Sequence, residues 1–260
     1  MSLLSFFGLQ AKRHHVDFNY PKDVASVALS DIDKAMKTHD GQLVVDAMVR
    51  YSIAQSSISQ DNMADIVSHI EKTVKSEQQP EYKALLRYFE ALVFNNYCNR
   101  YVNYSRNNPV DTPLPADYAE WDRQQMHKKV DELLVQAVEK ADQLGTVDLN
   151  SMGDLITANA QGIALIPTLR DFLYLKCTEL TTNDGLKQML YQQWLQATTD
   201  TPAPHIYASL LAGHSSAEEV YTQFADNEHS GLALCELNGS SRYRLFKDYV
   251  AKFPNSFYAP

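Results

Sequence analysis

Apolar residues recur every three or four positions along nearly the whole chain, which is the spacing of one face of an α-helix. In the first clear segment Val24, Ala28, Ile32 and Ala35 follow this period up to about Thr38. No stretch of any length alternates apolar and polar residues, as a half-buried strand does. Glycine and proline are also scarce, with 9 and 10 among 260 residues, so few tight β-turns are available. The sequence therefore predicts an all-α fold.

The breaks between the apolar stripes give the expected helices. Pro21 and Pro80 suit a first helical turn, and Asp117 is placed to cap a helix that Gly145 stops. The predicted helical segments are 21–38, 43–54, 63–74, 80–104, 117–144, 169–177, 186–194, 205–211, 217–227 and 240–253. The predicted breaks include a proline-rich loop over 107–117, a less regular stretch over 146–166, and a turn at Pro202 and Pro204.

Successive helices with short connections favour stacked antiparallel hairpins, as in an α-solenoid of tetratricopeptide-repeat (TPR) type. The first four helices make two hairpins of similar size. The last hairpin, 217–254, is the most TPR-like, because an aromatic-rich helix ends in a Phe-Pro-Asn-Ser turn. No segment carries the full TPR consensus, so the predicted array is TPR-like. We expect one helical domain over residues 21–260, with candidate sub-lobes 21–104 and 117–260.

The first residues are typical of the end of a secretory signal. Residues 3–9 are apolar, Ala11 offers a small side chain before a cut, and a basic stretch begins at Lys12. We therefore predict that residues 1–11 are the remnant of a signal peptide and that residues 12–20 are an extended lead-in. The alternative is a cytosolic chain whose apolar first turn packs on the core. No stretch reaches the ~18 apolar residues that a membrane-spanning helix needs.

The charge balance of the chain limits the classes of partner that it is expected to bind. The chain carries 23 basic and 32 acidic residues, a formal net charge of −9. An acidic balance disfavours nucleic-acid binding, which needs a basic face, so no nucleic-acid partner is expected.

The chain has three cysteines, Cys98, Cys177 and Cys235, which is an odd number, and they show no metal-ligand spacing. We expect three partly buried thiols. One disulfide plus a free thiol is the alternative.

No local motif predicts catalysis, a cofactor or a metal. The nucleotide-binding, zinc-protease, esterase and calcium-loop signatures are absent from the sequence. The pair His14–His15 is a weak metal candidate in an otherwise solvated terminus, and His127 is expected at the surface. The neighbouring acids Asp31/Asp33 and Glu218/Glu219 diverge around their helices and are not expected to converge on a substrate. We predict no catalytic residue, cofactor or metal site.

Aromatic residues give the sequence its one candidate binding surface. Tyr97, Tyr101 and Tyr104 follow one another on a single helix face. Such a stripe usually packs against a neighbouring helix with its hydroxyls at the rim, which is the expectation here. The alternative is a stacking platform for a sugar or a peptide. Trp121 and Trp194 are expected in the core.

Three segments carry a resemblance to a known family. They are residues 111–122 (DTPLPADYAEWD), residues 166–173 (IPTLRDFL) and residues 253–259 (FPNSFYA). In combination they make the stretch from about Tyr20 to Pro260 resemble the N-terminal helical region of the alpha-2-macroglobulin-like envelope proteins of Bacteroidetes. The resemblance implies a secreted protein of the periplasm or cell envelope and a helical module ahead of macroglobulin-type β-domains, in a family linked to protease inhibition.

The family's covalent trap requires a Cys-Gly-Glu-Gln thioester motif. Cys235 is followed by Glu236, Leu237 and Asn238, so the motif is absent here. The expected function is therefore a non-enzymatic helical interaction module, with a protein partner or the following macroglobulin domains as its ligand. The alternative is a free-standing TPR-like adaptor for an envelope protein or a glycan. A helical glycosidase would need convergent carboxylates, which no spacing here predicts.

Overall fold

A computed structural model describes residues 8–9, 19–103, 106–108, 113–153, 155–157, 160–237 and 239–258. Helices make up 75% of the described residues, so the predicted all-α class is confirmed. The α-helices are α1 (Pro21–Thr38), α2 (Gly41–Ile58), α3 (Met63–Ser76), α4 (Pro80–Tyr101), α5 (Arg123–Val138), α6 (Ala141–Leu144), α7 (Ala160–Leu165), α8 (Leu169–Leu180), α9 (Asp184–Ala197), α10 (Pro202–Ala212), α11 (Ala217–Gln223), α12 (Gly231–Glu236) and α13 (Ser240–Lys252). Short 3-10 helices cover Gln60–Asn62, Tyr118–Glu120, Leu149–Met152 and Glu228–Ser230.

Only one small pairing of strands occurs among the described residues. Strand β1 (Gly8–Leu9) pairs antiparallel with β2 (Ile156–Thr157). Residues 8 and 9 belong to the stretch predicted as a signal remnant; the rest of that stretch and His14–His15 lie outside the described residues. Within the part of the chain that the structure describes, no helix combines the length and apolar character needed to cross a membrane.

The boundaries of the N-terminal helices follow the helix start and stop signals of the sequence. Pro21 and Pro80 each stand in the first turn of a helix. Between α1 and α2, His39 adopts a left-handed conformation with φ 55°, and the side chain of Asp40 accepts a hydrogen bond from the Leu43 amide at 3.0 Å. A left-handed residue stops one helix and a capping carboxylate starts the next, so the chain reverses within two residues.

Several boundaries differ from the prediction, and α4 and α11 end earlier than predicted, at Tyr101 and Gln223. Asp117 caps only the short 3-10 helix, whereas Asp122 caps α5 through a capping box with Gln125. Asp122 also accepts the Asn108 amide at 2.7 Å, a contact that fixes the preceding loop against the helix start. The segment predicted as one helix to residue 144 ends at Val138 and resumes as α6. The predicted turn at Pro202 and Pro204 is the first turn of α10, and neither α7 nor α12 was predicted.

Helix α4 is the centre of the packing. It lies along α5 over most of its length and also contacts α2, α3, α6 and α8. Both Trp121 and Trp194 are buried, as predicted. One continuous apolar core extends from Val24 on α1 to Tyr249 on α13. The contact between α4 and α5 spans the boundary proposed between the candidate sub-lobes, so these two segments share an interface. The stacked, TPR-like arrangement stays a prediction.

Buried charged groups connect helices inside this core. The guanidinium of Arg50 on α2 bonds Asp46 at 2.9 Å and reaches Asp31 on α1 at 2.8 Å. The carboxylate of Asp171 on α8 accepts the Trp194 indole N–H at 3.0 Å and the Thr168 hydroxyl at 2.6 Å. A buried charge with satisfied hydrogen bonds holds its neighbours in one geometry, because losing a partner would leave it desolvated.

Glu90 on α4 is fully buried and only partly satisfied. Its Oε2 accepts a hydrogen bond from Arg87 at 2.6 Å, and its Oε1 has no hydrogen-bond partner among the described residues. Burial raises the pKa of Glu90 above its ordinary value, and this outweighs the opposing attraction of Arg87 and Lys129. The carboxyl group of Glu90 therefore holds its proton more tightly in the folded protein than in the unfolded chain.

We predict that Glu90→Gln becomes increasingly stabilising, relative to the wild type, as the pH rises. Below the ordinary glutamate pKa of about 4.3, Glu90 is protonated in both the folded and the unfolded state. Between that value and the raised pKa of the folded state, only the unfolded chain loses this proton, so the free energy of unfolding falls as the pH rises. Urea unfolding from about pH 4 to about pH 8 measures the difference, with exposed Glu132→Gln as the control. A Glu90→Gln variant that loses relative stability with rising pH would show that the Arg87 pair dominates.

Candidate functional site

The row of side chains that contains the α4 tyrosines leaves the core towards the C-terminal end of the helix. Leu85 and Phe89 are buried, Val93 and Tyr97 are half-buried, and Tyr101 is 44% exposed. These residues are spaced by four, and each such step turns about 40° past a full helical turn. Over four steps the stripe therefore rotates from the core towards solvent. The expectation that the stripe packs against a neighbour is wrong for Tyr101, and Tyr104 lies outside the described residues.

The outer part of this stripe forms one wall of a groove between α2 and α4, with a volume of about 380 Å³. The opposite wall is rich in serine, whose short side chains leave the space between the helices unfilled. Buried apolar side chains form the floor. The lining residues are Ser52, Ile53, Ser56, Ser57, Ser59, Gln60, Met63, Ile66, Phe89, Val93, Asn96, Tyr97, Arg100 and Tyr101.

Some polar side chains of the groove make hydrogen bonds within the protein, and others make none with the described residues. Ser52 and Ser57 donate hydrogen bonds to carbonyls one turn earlier in α2, at 2.9 and 2.8 Å. Ser56, Asn96 and Arg100 make no hydrogen bond or ion pair with any residue of the described ranges, and all three are exposed. Their donors and acceptors are available to a ligand, as is typical of a binding groove with an apolar floor.

Two tyrosine rings stand at the mouth of the groove. The ring centroids of Tyr97 and Tyr101 are 5.2 Å apart, and the planes are inclined at 54°. Burial raises the pKa of Tyr97 above its ordinary value, and the nearby carboxylates Asp117 and Asp61 raise it further. The Tyr97 hydroxyl therefore stays protonated at neutral pH and can donate a hydrogen bond, while the two rings offer apolar faces.

The acidic pairs stay apart, as predicted. Asp31 is bonded to Arg50, whereas Asp33 on the same helix is exposed. Glu219 completes a capping box with Ser216, and Glu218 lies 3.7 Å from Arg244. Asp31 and Glu218 thus face arginines and Glu219 serves a helix start, whereas Asp33 is exposed.

His127 is half-buried, so it is less exposed than a solvated surface side chain. Its Nε2 lies 3.9 Å from the Sγ of Cys98, a pair that joins α4 to α5. Burial raises the pKa of the Cys98 thiol and lowers the pKa of His127, so the neutral thiol and neutral imidazole are favoured. A nucleophilic cysteine needs the opposite shift together with access, and Cys98 is fully buried. The contact is one of packing.

The predicted burial of the thiols holds for Cys98 and Cys177, but Cys235 is exposed, and all three are free. A further polar contact links α2 to α3, where the buried Tyr51 hydroxyl donates to Asp65 and lies 3.4 Å from His69 Nδ1. Among the described residues no group of histidine, cysteine and acidic side chains has the arrangement of a metal site. The α2–α4 groove is therefore the strongest candidate site.

Comparison of the chain with known protein families, with curated proteins and with solved structures finds no match. The resemblance to the macroglobulin-like proteins thus rests on the three sequence segments alone.

We predict that the two faces of α4 differ sharply in their contribution to stability. Tyr101→Ala removes an exposed ring and is expected to change the free energy of unfolding by less than about 1 kcal/mol. Phe94→Ala, on the same helix but fully buried, is expected to cost about 3–5 kcal/mol. Urea unfolding of the two variants measures the contrast; equal costs would mean that Tyr101 belongs to the core.

Proposed function

We propose that this protein is a non-enzymatic helical interaction module that holds a polypeptide segment in the α2–α4 groove. The observation that carries the proposal is the groove itself, where the half-buried ring of Tyr97 and the exposed ring of Tyr101 stand beside the unpaired Arg100. Tyrosine and arginine are the residue types that contribute most to protein interfaces, because they combine a large apolar contact with hydrogen-bonding groups.

A polypeptide suits the groove better than a sugar does. The floor residues Met63, Ile66 and Phe89 are apolar and buried, so they favour an inserted hydrocarbon side chain. The unpaired Asn96 and Ser56 at the rim complement the carbonyls and amides of a main chain. A free-standing adaptor for a glycan, stacked on the two tyrosines, is the alternative.

The cellular context is part of the proposal. The apolar residues 3–9 and the small Ala11 support export to the periplasm or cell envelope, and residues 111–122 and 166–173 support a place in a macroglobulin-like protein. In that setting the ligand is either a following macroglobulin domain or a separate envelope protein. A free-standing TPR-like adaptor would use the same groove.

Selection with phage-displayed random peptides tests the proposal. The full chain is immobilised, and enriched peptides are measured by fluorescence polarisation against Tyr97→Ala/Tyr101→Ala. We expect that double variant to bind at least about tenfold more weakly, because the loss of two aromatic contacts removes 1.4 kcal/mol or more. The matched control is Tyr243→Ala, since Tyr243 is 78% exposed on α13 and lies outside the groove.

The outcomes separate the candidate functions. Peptides that bind the groove variant as well as the wild type, or no enriched peptide at all, contradict the proposal. Tyrosine-dependent binding to arrayed glycans without peptide binding favours the glycan adaptor.

A further inference from the structure

Arg100 differs from the arginines that lie inside the helical packing. Arg50, Arg87 and Arg170 each have a carboxylate within 2.6–3.4 Å. Arg100 lines the groove and has no carboxylate within ion-pair distance among the residues that the structure describes. A guanidinium presents a planar fork of donors that matches a carboxylate, so this group is a ready partner for an acidic ligand.

The acids near the groove are already engaged. Asp61 accepts a hydrogen bond from the Ser59 hydroxyl at 3.3 Å, and Asp117 accepts the Ala119 amide at 2.9 Å. Arg106 acts on Tyr97 in the opposite sense to these two carboxylates and lowers its pKa. Neither acid is within ion-pair distance of Arg100 among the residues that the structure describes, so the guanidinium is free to meet an incoming carboxylate.

The spacing along α4 sets the spacing required in a ligand. Val93 borders the apolar part of the groove, and Arg100 follows it by two turns, which is about 10 Å along the helix axis. An extended peptide advances about 3.3 Å per residue, so about three residues cover this distance. A single segment can then place an apolar side chain on the floor and a carboxylate on Arg100.

We infer that the groove selects a polypeptide segment in which an Asp or Glu follows an apolar anchor by about three residues, with the carboxylate on Arg100 and the anchor against Val93 and Phe89. This inference rests on the proposed function and adds the chemistry of the partner.

The test uses the peptides selected on the wild-type chain. We expect an acid about three positions from an apolar residue to be enriched. Replacing that acid by its amide in the peptide, or Arg100 by Gln in the protein, is expected to weaken binding roughly fivefold or more. The two changes together are expected to cost little more than either alone, because they remove the same ion pair. Exposed Arg242→Gln, on α13, is the matched control.

This result separates the inference from the function on which it rests. Peptides that depend on Tyr97 and Tyr101 but show no acid enrichment, and that bind Arg100→Gln as well as the wild type, overturn the carboxylate inference and leave the binding groove standing. Additive losses from the peptide and protein changes overturn it as well, since they show that the acid sits elsewhere. Failure to select any tyrosine-dependent peptide contradicts both proposals.

Discussion

Helix α4 packs against other helices on most of its circumference, and the rest of the structure is arranged around this packing. It packs along α5 and also meets α2, α3, α6 and α8. Its inner faces are lined by large apolar side chains such as Leu86 and Phe94, together with the buried carboxylate of Glu90. Close packing makes such a helix intolerant of changes in volume. The helices before α4 and those after it consequently share one core.

The candidate groove is a consequence of the same helix geometry. Side chains spaced by four drift around a helix, so a stripe that starts in the core at Leu85 ends in solvent at Tyr101. Where α4 turns its aromatic side chains outward, α2 opposes them with serines that do not fill the gap. The groove wall is therefore built on an element that the core holds in place, which favours a preformed binding surface over one that must be ordered by its ligand.

The sequence was sufficient for the features that depend on local chemistry. Pro21 and Pro80 mark helix starts through backbone geometry, and both starts were predicted. Asp117 was predicted as the cap of α5, although the capping box of Asp122 with Gln125 is a local signal that the sequence also carries. The groove was missed for a different reason. The tyrosines were visible as a stripe, but their exposure depends on which residues of α2 stand opposite, and that is a long-range property.

The central claim is that α4 joins the helices before and after it into one cooperative unit. Native-state hydrogen exchange as a function of denaturant measures this most directly. We expect core amides of α4, α5 and α8 to share one opening free energy, equal to that of global unfolding, with the same denaturant dependence. A contradiction would be α4 amides that exchange through an opening of residues 21–101 alone, at a free energy clearly below that of the α5 and α8 amides.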